Sequence, residues 1–291
     1  MWTILQAELF KIFKRPRTYI AFAAIAALIT MVQVGMKADG DSYVKFMLST
    51  LGGNFDVQGK IMNGYLVCYI ILQMLLVHVP LLVTLIAADT FSGEANTGTL
   101  RLLLTTPYSR TQWVLAKFTA VVIYTLLLLV WLAILALVLS MAVFGTDDLF
   151  LFKSDYVVLI RENDVFWRYC AAFGFAALAM ITVAAVGFLL SIFADNSIGP
   201  IVATMSIIVF FSVLSTMNIP LYNTIKPYLF VTHMNSWKEF FDERVTENNE
   251  AVAGSIQYPM RIVHSVLVLG IHILVLLGAA VWFFRKKDIL S

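Results

Sequence analysis

Charge is what this sequence has least of. Asp, Glu, Lys and Arg make up 13% of the 291 residues, against 60% apolar ones; a soluble domain carries about 25% and about 45–50%. With a mean hydropathy of +0.87, the chain uses lipid rather than water as its main solvent. The formal net charge of +2 carries no signature of a nucleic-acid partner. Cysteine is nearly absent. Cys68 and Cys170 fall in apolar runs with no CxxC partner, which predicts buried thiols rather than disulfides or a metal site. No GxxxxGK[ST] occurs, so nothing here cradles the phosphates of ATP through a P-loop. HExxH, GxSxG and a paired-glutamate run are missing as well. The four histidines, His78, His233, His264 and His272, stand apart. His264 and His272 are eight residues apart, where a metal pair usually sits three or four apart; hydrogen bonding inside a bundle is expected of them. No catalytic or metal site is predicted, and the chain is read as non-enzymatic. A cleavable signal is missing too: the first apolar run starts only after Arg17, with no small-residue cleavage site behind it.

Long apolar runs are abundant. Six fall at about 18–36, 61–88, 113–144, 168–193, 198–216 and 262–284, each near or above the ~20 residues a membrane span requires. They predict an all-α integral membrane protein of six transmembrane helices in a single domain, 1–291. The second and third runs reach ~45 Å as helices, against a ~30 Å hydrocarbon core, so they should tilt or protrude. Pro80 should kink the second. Ala194-Asp195-Asn196-Ser197 is a tight polar turn between the fourth and fifth, and Gly199 and Pro200 then occupy a first helical turn, where proline is tolerated. Ahead of the first span, residues 1–17 read as an amphipathic helix. Trp2, Leu5, Leu9 and Ile12 recur on one side and Glu8, Lys11 and Arg15 on another, with Pro16 at its end. A basic helix of this kind lies in the interface, against membrane lipid.

Orientation rests on Lys and Arg near the span ends. The tally is level: Lys11, Lys14, Arg15, Arg17, Arg101, Arg110, Lys117, Arg285, Lys286 and Lys287 on one side, and Lys37, Lys45, Lys60, Lys153, Arg161, Arg168, Lys226, Lys238, Arg244 and Arg261 on the other. The first span decides, with four basic residues before it and only Lys37 close behind; Arg285-Lys286-Lys287, abutting the last span, agree. Both termini are therefore expected in the cytoplasm, in a multi-pass plasma (bacterial inner) membrane protein. The outer connections, about 37–60, 145–167 and 217–261, should be loops or short helices. Trp237, Phe240, Phe241 and Tyr258 suit an aromatic belt at that surface.

Between the second and third spans lies a polar island, Asp89 to Lys117. Its connecting loop, 89–112, carries Gly93, Glu94, Gly98 and a Leu-rich segment that Pro107 stops, before Ser109-Arg110. A short helix there looks like a docking element, with the two glycines allowing tight turns. Carboxylates deep in the spans, which ion-driven carriers use, are missing. The polar groups Asn63, Thr84, Thr125, Thr182 and Thr204 read as inter-helix hydrogen bonders, and Gln73 and His78 as candidates to line a pathway.

The pattern Glu94-x-x-x-Gly98-Thr99-Leu100-x-x-Leu103-Leu104-x-x-Pro107-x-Ser109-Arg110, with Lys117 behind it, resembles the first cytoplasmic loop of type-2 ABC exporter permeases. The N-terminal helix resembles that family's elbow helix, and Phe283-Phe284-Arg285-Lys286-Lys287-Asp288-Ile289 resembles its tail. Together the likeness covers the whole chain. It implies a coupling helix, Thr99 to Leu104, docked on a separate ATP-binding subunit that uses ATP and Mg, while this chain binds no cofactor. Leu100, Leu103 and Leu104 would fill a groove of that ATPase. Glu94 would brace the loop, Arg101 and Arg110 would contact the rim or lipid phosphates, and Lys117 would mark the inner membrane boundary. Six spans make half a pathway, so a dimer with a second copy or a paralogue is implied. Two other readings stay open: an integral membrane enzyme acting on lipid, and a membrane anchor subunit that transports nothing.

Overall fold

A corner opens the structure. Helix α1 (Trp2–Lys14) ends at Arg15, whose backbone is extended (φ −85°, ψ 132°). Proline at 16 disfavours the helical region for the residue before it and is itself well suited to start α2 (Pro16–Thr50). The computed structural model describes residues 1–50, 61–75, 77–152, 157–217, 220–244 and 252–287. Helix α2 runs beyond the expected first span and breaks at Asp39 (φ −139°, ψ 25°).

The second apolar run is two helices, not one. Helices α3 (Gly64–Met74) and α4 (His78–Asn96) meet at a 53° bend. Pro80 lies just past the break and has no N–H to send one turn back into it, which is the expected kink realised. His78 Nδ1 lies 3.2 Å from the Met74 carbonyl, spanning the gap. Helix α4 also continues eight residues past the predicted end, because nothing stops it before Gly98, whose φ of 70° an L-residue adopts only under strain. Much of the presumed loop 89–112 is therefore helical. The one-turn helix α5 (Leu100–Leu104) follows.

Ser109 then starts α6 (Arg110–Ala133) with a capping box, its side chain and that of Gln112 each bonding the other's backbone N–H. A π-turn (Ile134–Val138) leads into α7 (Leu139–Phe144). Gln33 of α2 donates 2.9 Å bonds to the Leu135 carbonyl in that turn and to Ser140 Oγ, a polar insertion where the helical ladder is widened.

Residues 145–167 hold an antiparallel hairpin, β1 (Leu149–Phe152) with β2 (Val157–Ile160), so the all-α expectation is corrected by one small sheet. Alternation puts Leu149, Leu151, Val158 and Ile160 inward. Helix α8 (Glu162–Ser191) is the central post, packed on α4, α6, α12 and α9 (Ile198–Thr216). Between α9 and α12 (Pro259–Lys286) come α10 (Pro220–Ile225), α11 (Phe230–His233) and a 3₁₀ turn, Ser236–Phe241. Trp237 and Phe241, assigned from sequence to a surface belt, are buried against Tyr69 and Tyr169. Cys68 is buried as expected, whereas Cys170 is exposed on α8.

Among the described residues five helices are long and apolar enough to cross a membrane, or six if α3 and α4 together form one broken span. The chain is thus a mostly helical, multi-pass membrane protein. Its exposed surface includes Val202, Val209, Phe210 and Val213 on α9 and Leu267, Ile271, Leu274 and Val275 on α12; lipid tolerates such surfaces where water would not.

Candidate functional site

Helix α1 buries a carboxylate beside an apolar residue, Ile4. Trp2 and Phe10 are exposed, whereas Glu8 is buried against the bundle. Glu8 Oε2 accepts from Lys117 Nζ on α6 at 2.9 Å, and Glu8 Oε1 from Lys11 at 2.7 Å. Both lysines also reach Glu94 Oε1 on α4, each at 2.8 Å. The four side chains close a ring of alternating charge that ties α1, α4 and α6 together. Two positive and two negative groups cancel, which is what allows a fully buried lysine, with 0% of the Lys117 side chain exposed. The Phe91 ring, 5.5 Å from Nζ, and the Trp113 ring, 5.9 Å away, wall it in. Lys117 is therefore part of a protein-internal ion cluster. Burial lowers the Lys11 pKa, but the Glu8 and Glu94 carboxylates outweigh it, so the value is raised from 10.5.

A second hub lies five residues earlier on α4. The Asp89 carboxylate accepts from Arg15 and Arg17 at the α1–α2 corner and from Ser197 in the α8–α9 turn. Gly93 makes room for it: a Cβ there would come within 2.5 Å of Asp89 Oδ1. Gly93 thus serves a close approach inside a helix, and only Gly98 performs the turning expected of both.

Helix α5 stands on this base. Thr99 Oγ1 donates to the Glu94 carbonyl at 3.3 Å and lies 2.9 Å from Thr97 Oγ1, closing the end of α4. Leu100 is 6% exposed and faces into this chain, whereas Leu102 is 63% exposed, beside exposed Arg101. Positions 100 and 102 lie about 200° apart around a helix, so Leu100, expected on the outer face, packs inward and Leu102 is the exposed one of the two. The side chains of Leu103 and Leu104 lie outside the described residues. Pro107 and Tyr108 are exposed on the return to α6. Arg110 is half-buried and bonds within this chain. Its Nη1 donates to the carbonyls of Phe284 (3.2 Å), Arg285 (2.9 Å) and Lys287 (2.7 Å), closing the otherwise open end of α12. Lys287 Nζ in turn donates to the Ile192 carbonyl at 2.6 Å. Asp288 and Ile289 of the tail lie outside the described residues.

Gln73 and His78 are both exposed on the α3–α4 surface, away from the four-charge ring. Gln73 borders a groove of about 320 Å³ with Tyr43, Met47, Tyr69 and Leu151.

At the opposite end of the bundle is a hub that sequence reasoning placed in an outer connection. Arg168 is buried on α8 and donates to Asp164 (2.9 Å), Glu243 (3.0 Å) and the carbonyls of Phe240 (2.7 Å) and Ser255 (2.9 Å). The i, i+4 spacing of Asp164 and Arg168 was the available signal. The histidines do not all stand apart: the His233 and His264 rings are 5.2 Å apart. His233 Nε2 donates to the Pro227 carbonyl at 2.8 Å, so Nδ1, 2.9 Å from Ser265 Oγ, is the acceptor in the neutral ring. No metal-holding group of side chains occurs among the described residues.

Residues 20–290 match the family described as "Protein of unknown function (DUF2705)". The chain belongs to the DUF2705 family. It is also similar to "Uncharacterized protein YhcI" of Bacillus subtilis (strain 168), 26% identical over 213 residues; the match takes in 70% of this chain and 63% of that protein, less than two thirds of its length. The DUF2705 match starts inside α2. Asp89, Glu94, Arg110 and Lys117 fall within it; Glu8, Lys11, Arg15 and Arg17 lie ahead of it.

Proposed function

We propose that this chain is the membrane-spanning subunit of an ABC-2 type transporter, which couples ATP hydrolysis on a separate soluble ATPase to export. One observation carries the reading. A one-turn helix presenting Arg101 and Leu102 stands directly on a charged ring that locks three other helices together. Force applied to α5 would reach α1, α4 and α6 through Glu94 with little slack, since a helical turn and a closed ion cluster deform less than a loop. On this reading α5 and both termini face the cytoplasm of a bacterial plasma membrane, six spans form half of the pathway, and a second copy or a paralogue completes it. Closure of the ATPase pair around ATP and Mg would then rock the two halves. The chain itself binds no nucleotide and no nucleic acid.

A membrane enzyme is the competing reading. The Ser265–His233 contact is the observation nearest to it, but Ser265 is buried and also bonded to Ser236 Oγ at 3.0 Å, which is a packing role. The deciding experiment is co-purification with a P-loop ATPase that has no spans of its own. Leu102→Asp and Arg101→Glu should abolish binding and ATPase stimulation while the membrane subunit still inserts. Wild-type binding and stimulation in both variants would refute the proposal.

A further inference from the structure

The charged ring is balanced; the corner beside it is not. Arg15 and Arg17 share the single carboxylate of Asp89, and Lys14, one residue from the turn, is exposed and pairs with no acid among the described residues. Asp195, on the neighbouring α8–α9 turn, is exposed and pairs with neither arginine. Excess positive charge therefore collects where α1 turns into α2. The Arg15 and Arg17 side chains are 39% and 31% exposed, so both remain open to the surroundings beside Asp89. A guanidinium offers its N–H groups as a planar fork that fits two oxygens of one phosphate.

The surroundings say which phosphate. Tyr19 and Ile20, directly after the corner on α2, are exposed, as is Phe10 on α1. The chain passes here from a surface helix into an apolar span, the level at which a bilayer places its head groups. We infer that the α1–α2 corner binds the phosphate of an anionic lipid head group through Arg15 and Arg17, with Lys14 at the rim and the acyl chains lying along Tyr19 and Ile20. The lipid supplies the missing counter-charge. Bound there, it touches the two arginines that Asp89 uses to hold α4, so bilayer charge acts on the same corner that anchors α1. This site stands independently of the transport proposal.

The test uses the full chain in an uncharged detergent. Thermal unfolding is followed while phosphatidylglycerol, phosphatidylcholine or inorganic phosphate is titrated in. Phosphatidylglycerol should raise the midpoint; the other two should not. Lys14→Gln removes one exposed charge and should raise the half-effect lipid concentration about fivefold. Arg17→Lys keeps a cation for Asp89 but loses the fork, and should weaken the lipid effect at least as much. If Arg17→Lys proves unstable without lipid, Lys14→Gln alone decides. Equal protection by phosphatidylcholine overturns the charge requirement. Equal protection by inorganic phosphate overturns the lipid assignment. An unchanged half-effect concentration in Lys14→Gln overturns the site.

Discussion

Replacing Lys117 with methionine keeps the apolar stem and deletes the charge. In the folded chain that charge lies 2.9 Å from Glu8 and 2.8 Å from Glu94. At an effective dielectric of about 20, unit charges at such distances attract by roughly 6 kcal/mol per pair, much of it offset by the desolvation of the three groups. Without Lys117, two buried carboxylates share Lys11 alone, whose side chain is 41% exposed. Stranding buried charge in this way destabilises by about 3–5 kcal/mol. Lys117→Met should therefore lower the unfolding midpoint in detergent by roughly 10 °C, with α1 the first element to release. Adding Glu8→Gln and Glu94→Gln removes the stranded charges and should recover most of the loss. Thermal melts read by size-exclusion chromatography, with protease cleavage after α1 as a local probe, measure both. A Lys117→Met midpoint within a degree of wild type would refute the reasoning, as would a triple variant no better than the single one.

Gly93→Ala should push the Asp89 carboxylate off its three donors and destabilise by about 1–3 kcal/mol, with amide exchange rising in the α8–α9 turn; unchanged protection there contradicts the packing argument. Arg168→Met strands Asp164 and Glu243 and should destabilise by about 3–5 kcal/mol. Arg168→Lys should recover little of this, because one ammonium cannot reach four acceptors on separate segments; full recovery in a melt would show that charge alone matters. Burial, with His264 and His272 nearby, holds the His233 pKa below 6.5, although the Pro227 carbonyl favours the charged ring. The unfolded chain then binds the proton more readily, so stability is fully present above pH 6.5 and is lost as pH falls from 6.5 through the lowered folded value. A midpoint scan from pH 8 to pH 5 should show this loss in the wild type and a shallower one in His233→Gln; parallel curves would remove His233 from the account.

What the chain order hides is shown best by the ring. Lys11 and Glu94 are 83 residues apart, and Lys117 and Glu8 109 apart. In sequence each looks like an ordinary charge at a span end, where solvation is the plain expectation. Glu8, Lys11 and Arg15 were legible as one face of α1. The burial of Glu8 was not: it enters the bundle beside Ile4, where Lys117 meets it, while Trp2 and Phe10 stay exposed. The acceptors of Arg110 were hidden for a related reason, since they are backbone carbonyls at the end of α12, which leave no mark in the side-chain sequence.

The sequence by itself determined the class of molecule, its apolar runs, the kink near Pro80 and the short helix between Gly98 and Pro107. Each of these follows from local composition, because a span, a break or a stop requires only its own residues. Tertiary structure alone decided that Leu102 rather than Leu100 faces outward, that Gly93 makes room for Asp89, and that buried lysine and arginine hubs hold the two ends of the bundle. A buried charge is tolerated only where packing brings its counter-charges within hydrogen-bonding distance, and that depends on how the helices cross, not on the order of residues within any one of them.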